Sequence, residues 1–354
     1  MNSLELYRKL IENCGTKVKI ERVILDFLSE NLDENEYSDL TRNNCVSLRW
    51  LHADVSPIIF YFPVDENAKN ILFSLHYDIH AQTTAPNGII EGNRILEKDG
   101  KIFSTFGGAD DLAGVASVLT GIVEATKNND KNTRRKSNVT LLISGGEEYG
   151  SKGVSRLFHT YGADVFYDLG KIKIDACVVV DINDRIGVYC AFGSALDALK
   201  IKADEEKINA LDGEFEKEFG EKLRFKTFSD SQNKNEYFVK LRATDNSEMK
   251  GKIAFVERFV DVCDQVDLAR PFDCRESAKG LIEKYLASAE KIGVEPKECR
   301  NPFSFSDANV IADQLKVPCI LVSSGAVDAH TRNEFVYADE LDKNPLIIKE
   351  FLLG

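Results

Sequence analysis

The sequence predicts a layered α/β protein, and three features of the chain lead to this fold class. Short apolar runs, such as VTLLIS (139–144) and PCILVS (318–323), are typical of strands buried on both faces. Stretches with helical spacing at 111–127 and 151–161 lie among these runs, and the alternation of strand and helix is typical of layered α/β folds. The early runs VSLRWL, PIIFYF and NILFSL are close enough along the chain to form antiparallel neighbours, so the sheet is predicted to be mixed.

Two units are predicted along the chain. Apolar residues at helical spacing between residues 4 and 31 predict two opening helices with a turn between them. From about Ala198 to Lys297 the charge density rises, and GEFEKEFGEKLRF, YFVKLRA and SAKGLIEKYLASAEKI suggest a second, smaller set of helices and strands. We therefore expect a discontinuous domain of residues 1–197 and 298–354, interrupted by an inserted domain of residues 198–297.

Composition excludes several classes of function. The chain has 354 residues, of which 43% are hydrophobic and 29% are charged, so it does not have the composition of a disordered protein. A net charge of −13 argues against a nucleic-acid partner, which normally requires a basic surface. No apolar run approaches the roughly 18 residues of a membrane span, and MNSLELYRKL lacks the apolar core of a signal peptide. We expect a cytoplasmic protein without a membrane partner.

Side chains that bind metals follow three of the predicted strands. NILFSL runs into His76 and Asp78, VTLLIS is followed by Glu147 and Glu148, and ACVVV ends in Asp181. In open α/β sheets, functional sites form at the carboxyl ends of the strands. These three strands therefore predict one shared site.

Two further candidates extend this set. Asp110 lies in GGADDLAG, where glycines precede a helix, and His330 follows the last apolar run. Histidine and carboxylate side chains are the nitrogen and oxygen ligands that suit zinc, and two ions about 3.5–4 Å apart need a carboxylate between them. Each residue alone has an ordinary structural explanation, such as a helix cap for Asp110. Their coincidence at strand ends favours a metal site.

Five segments carry a resemblance to a known family. HYDIH, GGADDLAGVA, SGGEEYGSKG, VVVDIND and SFSDANVIADQLKVPCILVSSGAVDAHTRNEFV resemble the motifs of the co-catalytic, two-zinc metallopeptidases. They are most similar to the branch with peptidase T, carboxypeptidase G and the aminoacylases, and the related zinc aminopeptidases are close. The resemblance implies a three-layer, mixed-sheet zinc-peptidase domain with a smaller α+β insertion that serves as a lid or dimerisation domain.

The resemblance also implies the ligands of two zinc ions. His76 and Asp181 would hold one ion, Glu148 and His330 the other, and Asp110 would bridge them. Co²⁺ or Mn²⁺ are alternatives to zinc in the cell.

Two more residues receive roles from the resemblance. Asp78 would accept a hydrogen bond from the ligand histidine and orient it. Glu147 would be the general base, because a carboxylate that takes a proton from the activated water must stay off the metal. His80 and Asp184 are the alternatives to His76 and Asp181 as ligands.

The function predicted from these motifs is hydrolysis of amide bonds in small peptides, by an aminopeptidase. A carboxypeptidase or an N-acyl amino-acid deacylase of the same fold is the alternative, in which Arg270 or Arg275 would bind a substrate carboxylate. The insertion lacks the histidine that this branch often supplies to a partner subunit, and this absence favours the aminopeptidase. A catalytically inactive scaffold and a single-zinc enzyme are further alternatives. The resemblance implies a homodimer or larger homo-oligomer.

Overall fold

The computed structural model describes residues 1–14, 16–43, 45–47, 56–79, 93–127, 134–148, 151–170, 172–227, 236–299 and 306–354. The helices along this part of the chain are α1 (Ser3–Asn13), α2 (Lys17–Asn31), α3 (Glu34–Asn43), α4 (Ala109–Thr126), α5 (Lys152–Tyr161), α6 (Val165–Gly170), α7 (Glu205–Phe219), α8 (Asn246–Glu257), α9 (Lys279–Lys291), α10 (Asp307–Leu315) and α11 (Ala338–Leu353). The strands are β1 (Cys45–Ser47), β2 (Ile58–Phe62), β3 (Asn70–His76), β4 (Ile95–Lys98), β5 (Lys101–Ser104), β6 (Asn138–Ser144), β7 (Ala176–Ile182), β8 (Val188–Cys190), β9 (Phe192–Gly193), β10 (Ala195–Lys202), β11 (Arg224–Thr227), β12 (Glu236–Ala243), β13 (Asp261–Ala269), β14 (Phe272–Asp273), β15 (Lys297–Glu298), β16 (Cys319–Ser323), β17 (Ala326–Val327) and β18 (Phe335–Tyr337).

An eight-stranded sheet forms the centre of the larger of two compact units. Its strand order is β1-β2-β6-β3-β7-β16-β8-β15. The central strands β6, β3, β7 and β16 are parallel, whereas β2 pairs antiparallel with both β1 and β6. Two groups of helices pack on the sheet, through α4 and through α10. The predicted α/β fold with a mixed sheet is confirmed.

The opening helices form for local reasons that the sequence shows. Asn2 and Glu5 form a reciprocal capping box at the start of α1, and Thr16 caps α2. Both predicted helices are therefore confirmed. The third helix, α3, was not predicted because its sequence ENEYSDLTRN is largely polar and gives a weak apolar pattern. No helix in the described ranges combines the length and apolar character needed to cross a bilayer.

A small antiparallel sheet, with strand order β17-β18-β5-β4, also belongs to the larger unit. Its strands have two to four residues, which is too short for a clear alternating pattern in the sequence. β17 and β18 pair as a hairpin, and residues 328–334 connect them. This hairpin loop carries His330.

The smaller compact unit is built around residues 192–273. Four antiparallel strands in the order β11-β12-β10-β13 form its sheet, and α7 and α8 contribute to the same apolar core. Leu199 and Val239 from the strands and Phe215 and Phe255 from the helices are buried in that core. A second α+β unit is thus present in this part of the chain.

The end of the smaller unit differs from the boundary expected at residue 297. The compact unit ends at Asp273, and α9 belongs to the larger unit, where it packs against α11. Tyr285 of α9 is 1% exposed and lies beside the ring of Tyr189, with 6.4 Å between the ring centroids. The apolar face of α9 was visible in the sequence, but such a face does not show which sheet or helix will cover it.

Close packing of α4 against α11 generates a prediction. A methyl group on Gly121 of α4 would lie 2.7 Å from Cβ of Ile348 and 2.8 Å from the carbonyl oxygen of Pro345, both in α11. We expect Gly121→Ala to lower the free energy of unfolding by about 1–3 kcal/mol, because overpacking forces the two helices apart. Urea unfolding followed by circular dichroism measures this change.

Gly280 of α9 is the matched control in the same unit, because a methyl group there meets no atom within 4 Å. Gly280→Ala should leave the free energy of unfolding unchanged or raise it by up to about 1 kcal/mol, because alanine favours the helix and its methyl group clashes with nothing. Equal stability of the two variants would contradict the close contact between α4 and α11.

Candidate metal centre

The carboxyl ends of three adjacent parallel strands form the floor of the candidate site. His76 is the last residue of β3 and is in register with Ser144, the last residue of β6. Asp181 is the penultimate residue of β7, the neighbour of β3 on its other side. Because these strands are parallel, their carboxyl ends share one edge of the sheet. The side chains that follow these three strands therefore lie at one edge of the sheet, as the sequence predicted.

His76 lies at the centre of one group of carboxylates. Its side chain is 1% exposed. The Nε2 atom is 3.3 Å from Oδ1 of Asp110 and 3.6 Å from Oδ1 of Asp181, and the Nδ1 atom is 3.4 Å from Oδ1 of Asp78. Ligand atoms of His76, Asp110 and Asp181 all lie within 4.8 Å of one another, which is close enough to hold one cation.

His330 lies in a second group on the other side of Asp110. Its Nε2 atom is 3.1 Å from Oδ2 of Asp110 and 3.0 Å from Oε1 of Glu148. These three residues again place ligand atoms within 4.8 Å of one another. The two oxygens of Asp110 thus face different histidines, and the Asn183 side chain donates a hydrogen bond to Oδ2 at 2.9 Å.

Asp78 links the first group to the loop that follows β6. Its two carboxylate oxygens accept the backbone N–H groups of Glu147 and Glu148, each at 3.2 Å. Glu147 is 8% exposed and lies near His76, and His76, Glu147 and Glu148 form a third group of possible ligands. All seven residues predicted from the sequence therefore lie around one centre.

The remaining sequence candidates lie elsewhere or outside the described residues. Asp184 belongs to none of the ligand groups found among the described residues, and its carboxylate accepts the N–H of Arg185. His80 lies outside the described residues.

Buried donor atoms at this centre fit a metal. Both ring nitrogens of His76 are buried without a well-formed hydrogen bond, and so are Oδ1 of Asp110 and Oδ2 of Asp181. A buried polar atom without a partner costs free energy, so a cluster of them indicates that something else completes their coordination. Imidazole nitrogens and carboxylate oxygens are ligands that suit zinc. This donor set therefore fits two divalent cations that share Asp110.

The pKa values show how much negative charge is concentrated here. Burial raises the pKa of Asp181 to about 8, and burial also raises the pKa of Glu147 well above its usual range. Hydrogen bonds to Asp110 and Glu148 raise the pKa of His330 to about 10. Burial opposes the charged form of His76, but the surrounding carboxylates raise its pKa well above its usual range. In the metal-free protein, protons on groups such as Asp181 and His330 therefore offset part of this negative charge.

Four further side chains contact this centre and were not singled out from the sequence. Glu334 accepts backbone N–H groups at the start of α4, Asp307 accepts the Ser144 hydroxyl at 2.8 Å, and Asp111 accepts the backbone N–H of His76 at 3.3 Å. Asn183 is the fourth. All four lie inside the motif segments. Glu334, Asp111 and Asn183 hydrogen-bond to predicted residues, and Asp307 hydrogen-bonds to Ser144 at the end of β6. A search for ligand residues alone passes over such partners.

A comparison with protein families identifies the family of the chain. Residues 72–353 match the model of peptidase family M20/M25/M40. The chain belongs to this family. It is therefore an enzyme, a hydrolase of the M20 metallopeptidases, as the resemblance implied. No curated protein sequence matches the chain.

Solved structures of M20 peptidases share the fold. Aminopeptidase PepT from Bacillus cereus has a TM-score of 0.74 and 19% identity, over 99% of this chain and 97% of that chain. An M20 metallo-carboxypeptidase from Sulfolobus solfataricus has a TM-score of 0.66 and 14% identity, over 99% and 98%. A dinuclear metal-binding M20 peptidase from Bacillus subtilis has a TM-score of 0.64 and 12% identity, over 99% and 96%. At these identities the likeness shows the fold and leaves the substrate open.

The charge of this M20 centre predicts an unusual dependence of stability on pH. Folded Asp181, with a pKa of about 8, keeps a proton that the unfolded chain releases above about pH 3.9. Folded His330, with a pKa of about 10, keeps a proton that the unfolded chain releases above about pH 6.5. Both groups therefore make the metal-free protein less stable as the pH rises from 5 to 9.

Bound cations replace these protons, so the metal-loaded protein should show a shallower decline over the same pH range. Melting temperatures measured from pH 5 to pH 9, with zinc and with a chelator, test this expectation. Each bound ion should raise the free energy of unfolding by about 4 kcal/mol when the free metal is 1,000 times the dissociation constant of that ion. A metal-free protein that gains stability with rising pH would contradict it.

Proposed function

We propose that the chain is a two-zinc exopeptidase that releases amino acids from the free amino ends of small peptides. The observation that carries the two-metal part is the position of Asp110, whose oxygens lie 3.3 Å from His76 and 3.1 Å from His330. One carboxylate shared between two ligand groups is what a pair of neighbouring cations requires. His76 and Asp181 would hold one zinc, and Glu148 and His330 the other.

Two zinc ions held in this way would lower the pKa of a bound water toward about 7 and would polarise the carbonyl of the scissile bond. Glu147 takes the proton from the attacking water and later donates it to the leaving amine. Its burial supports this role, because burial raises the pKa of Glu147 above its usual range and so makes the carboxylate a stronger base toward the proton of water. Asp78 supports both metal binding and proton transfer. Its carboxylate contacts the ligand His76, and it accepts the backbone N–H of Glu147, the proposed base.

The preference for a free amino end rests on three observations. The chain carries a net charge of −13, the segment predicted as an insertion contains no histidine, and one of the similar structures is an aminopeptidase. The carboxypeptidase or deacylase is the second candidate, favoured by the similar carboxypeptidase. In that case exposed Arg270 or Arg275 would bind the substrate carboxylate. An inactive scaffold is disfavoured, because no ligand or base is missing from the centre.

The dimer and the cytoplasmic location expected from the sequence stay predictions. In the same way, Co²⁺ and Mn²⁺ stay alternatives to zinc, since their ligand preferences overlap with this donor set.

The substrate prediction is tested with one panel of peptides. Zinc-loaded enzyme is offered free, N-acylated and C-amidated dipeptides and tripeptides, and released amines are measured. We expect kcat/KM to be highest for peptides with a free amino end and to tolerate C-terminal amidation. Faster cleavage of N-acylated peptides, with loss of activity on amidation, would reject the aminopeptidase and favour the second candidate.

The two adjacent glutamates give a separate prediction about mechanism. Glu147→Gln keeps the shape of the side chain but removes the basic oxygen, so we expect kcat to fall by about 10²–10⁴-fold while both zinc ions are retained. Glu148→Gln should instead weaken one zinc. Metal content is measured by elemental analysis and turnover by amine release.

Asp175→Asn is the isosteric control for this pair of variants. Asp175 accepts the N–H of Asn70 at 2.9 Å, at the amino ends of the strands, so its replacement should change neither metal content nor turnover. If Glu147→Gln kept near-normal turnover while Glu148→Gln kept both ions and lost activity, the two roles would be reversed.

A further inference from the structure

Glu334 is a buried carboxylate that joins two segments far apart in the sequence. It is 4% exposed and follows His330 by four residues on the hairpin loop between β17 and β18. Its Oε1 atom accepts the backbone N–H of Gly108 at 3.1 Å and that of Asp110 at 2.9 Å. The same side chain therefore holds the start of α4, where Asp110 lies, and the loop that carries His330.

The start of α4 needs such a partner. The first N–H groups of a helix have no partner inside the helix, and a side chain near the N-terminus usually accepts one of them. At α4 the N-cap is Gly108, which has no side chain and adopts a left-handed φ of 104°. The backbone of Asp110 and Asp111 is itself non-helical, so the regular turns of α4 begin after Asp111. Glu334 supplies, from a distant loop, the acceptor that the N–H groups of this irregular segment need.

The hairpin loop needs an anchor for a different reason. His330 and Asp328 both have left-handed backbones, with φ of 63° and 54°, which is an uncommon conformation for residues with a side chain. The side chain of His330 is 42% exposed, so burial contributes little to its position. Glu334 is the buried part of this loop. Its bonds to α4 fix the loop relative to Asp110.

We propose that Glu334 is a positioning residue that sets the distance between the bridging Asp110 and His330, and that zinc binding at His330 and Glu148 depends on it. This inference rests on the two-zinc centre proposed above. The zinc held by His76 and Asp181 should depend on Glu334 much less. Its ligands lie on β3 and β7, and Glu334 reaches it only through Asp110.

The test measures the two zinc affinities of the metal-free protein by competition with a chromophoric chelator. Glu334→Ala should weaken one zinc by about 10–100-fold, the range found when groups that orient metal ligands are removed, and the other by less than about threefold. Glu334→Gln should restore most of the affinity, because the amide oxygen still accepts the two N–H groups. If Glu334→Ala folds poorly, Glu334→Asp is measured instead, since the shorter side chain withdraws the oxygens.

A double-mutant cycle identifies which zinc responds. In the His330→Ala protein the zinc at that position is already weakened, so adding Glu334→Ala should change the remaining affinity by less than about threefold, and the two effects should not add. Asp175→Ala is the control for loss of a carboxylate that binds a backbone N–H far from the centre. Melting of each metal-free variant shows any general loss of stability.

The outcomes separate this inference from the proposed function. A wild-type protein that binds fewer than two zinc ions would reject the two-zinc centre itself. A wild-type protein with two ions, together with wild-type affinities in Glu334→Ala, would reject the role of Glu334 alone. Equal weakening of both ions, additive effects with His330→Ala, or the same loss in Asp175→Ala would also reject it, because each outcome indicates only a general effect on the fold.

Discussion

The concentration of buried negative charge at the carboxyl ends of β3, β6 and β7 is the constraint on which the rest of this structure depends. Carboxylates that share so small a space repel one another and lose their hydration, and both effects oppose ionisation. The centre is therefore stable only with protons or cations among the carboxylates. Much of the surrounding structure, including Asp78, Asn183 and Glu334, consists of groups that hold these oxygens in place despite that repulsion.

The central sheet was predictable because its strands are buried on both faces and therefore leave continuous apolar runs in the sequence. The ligand candidates followed from the same runs, since the residue after a buried strand must lie at the edge of the sheet. Asp181 was identified in this way, whereas Asp110 and His330 depended on the motifs around them. The strands of the small sheet and the polar helix α3 left no comparable signal.

The parts that escaped prediction share a physical cause. Glu334 acts through hydrogen bonds to backbone N–H groups. Every residue except proline has such a group, so the side chains at positions 108–110 do not indicate that a carboxylate binds there. The left-handed backbone of His330 likewise has no glycine to mark it. For α9 the apolar face was evident, but the identity of its partner, α11, depends on the topology of the whole unit. Sequence patterns indicate which residues are buried, but they do not show which distant segments of the chain contact one another.

The position of the β17–β18 hairpin late in the sequence has a consequence for how the metal centre forms during folding. His330 follows Asp181 by almost 150 residues, and the hairpin that carries it comes directly after β16, which pairs with β7. Long-range pairing of this kind is slow, because the intervening chain must first lose its freedom. A partly folded chain can therefore gather His76 and Asp181 but not the full donor set. The complete donor set therefore exists only in a larger unit whose last strands are in place.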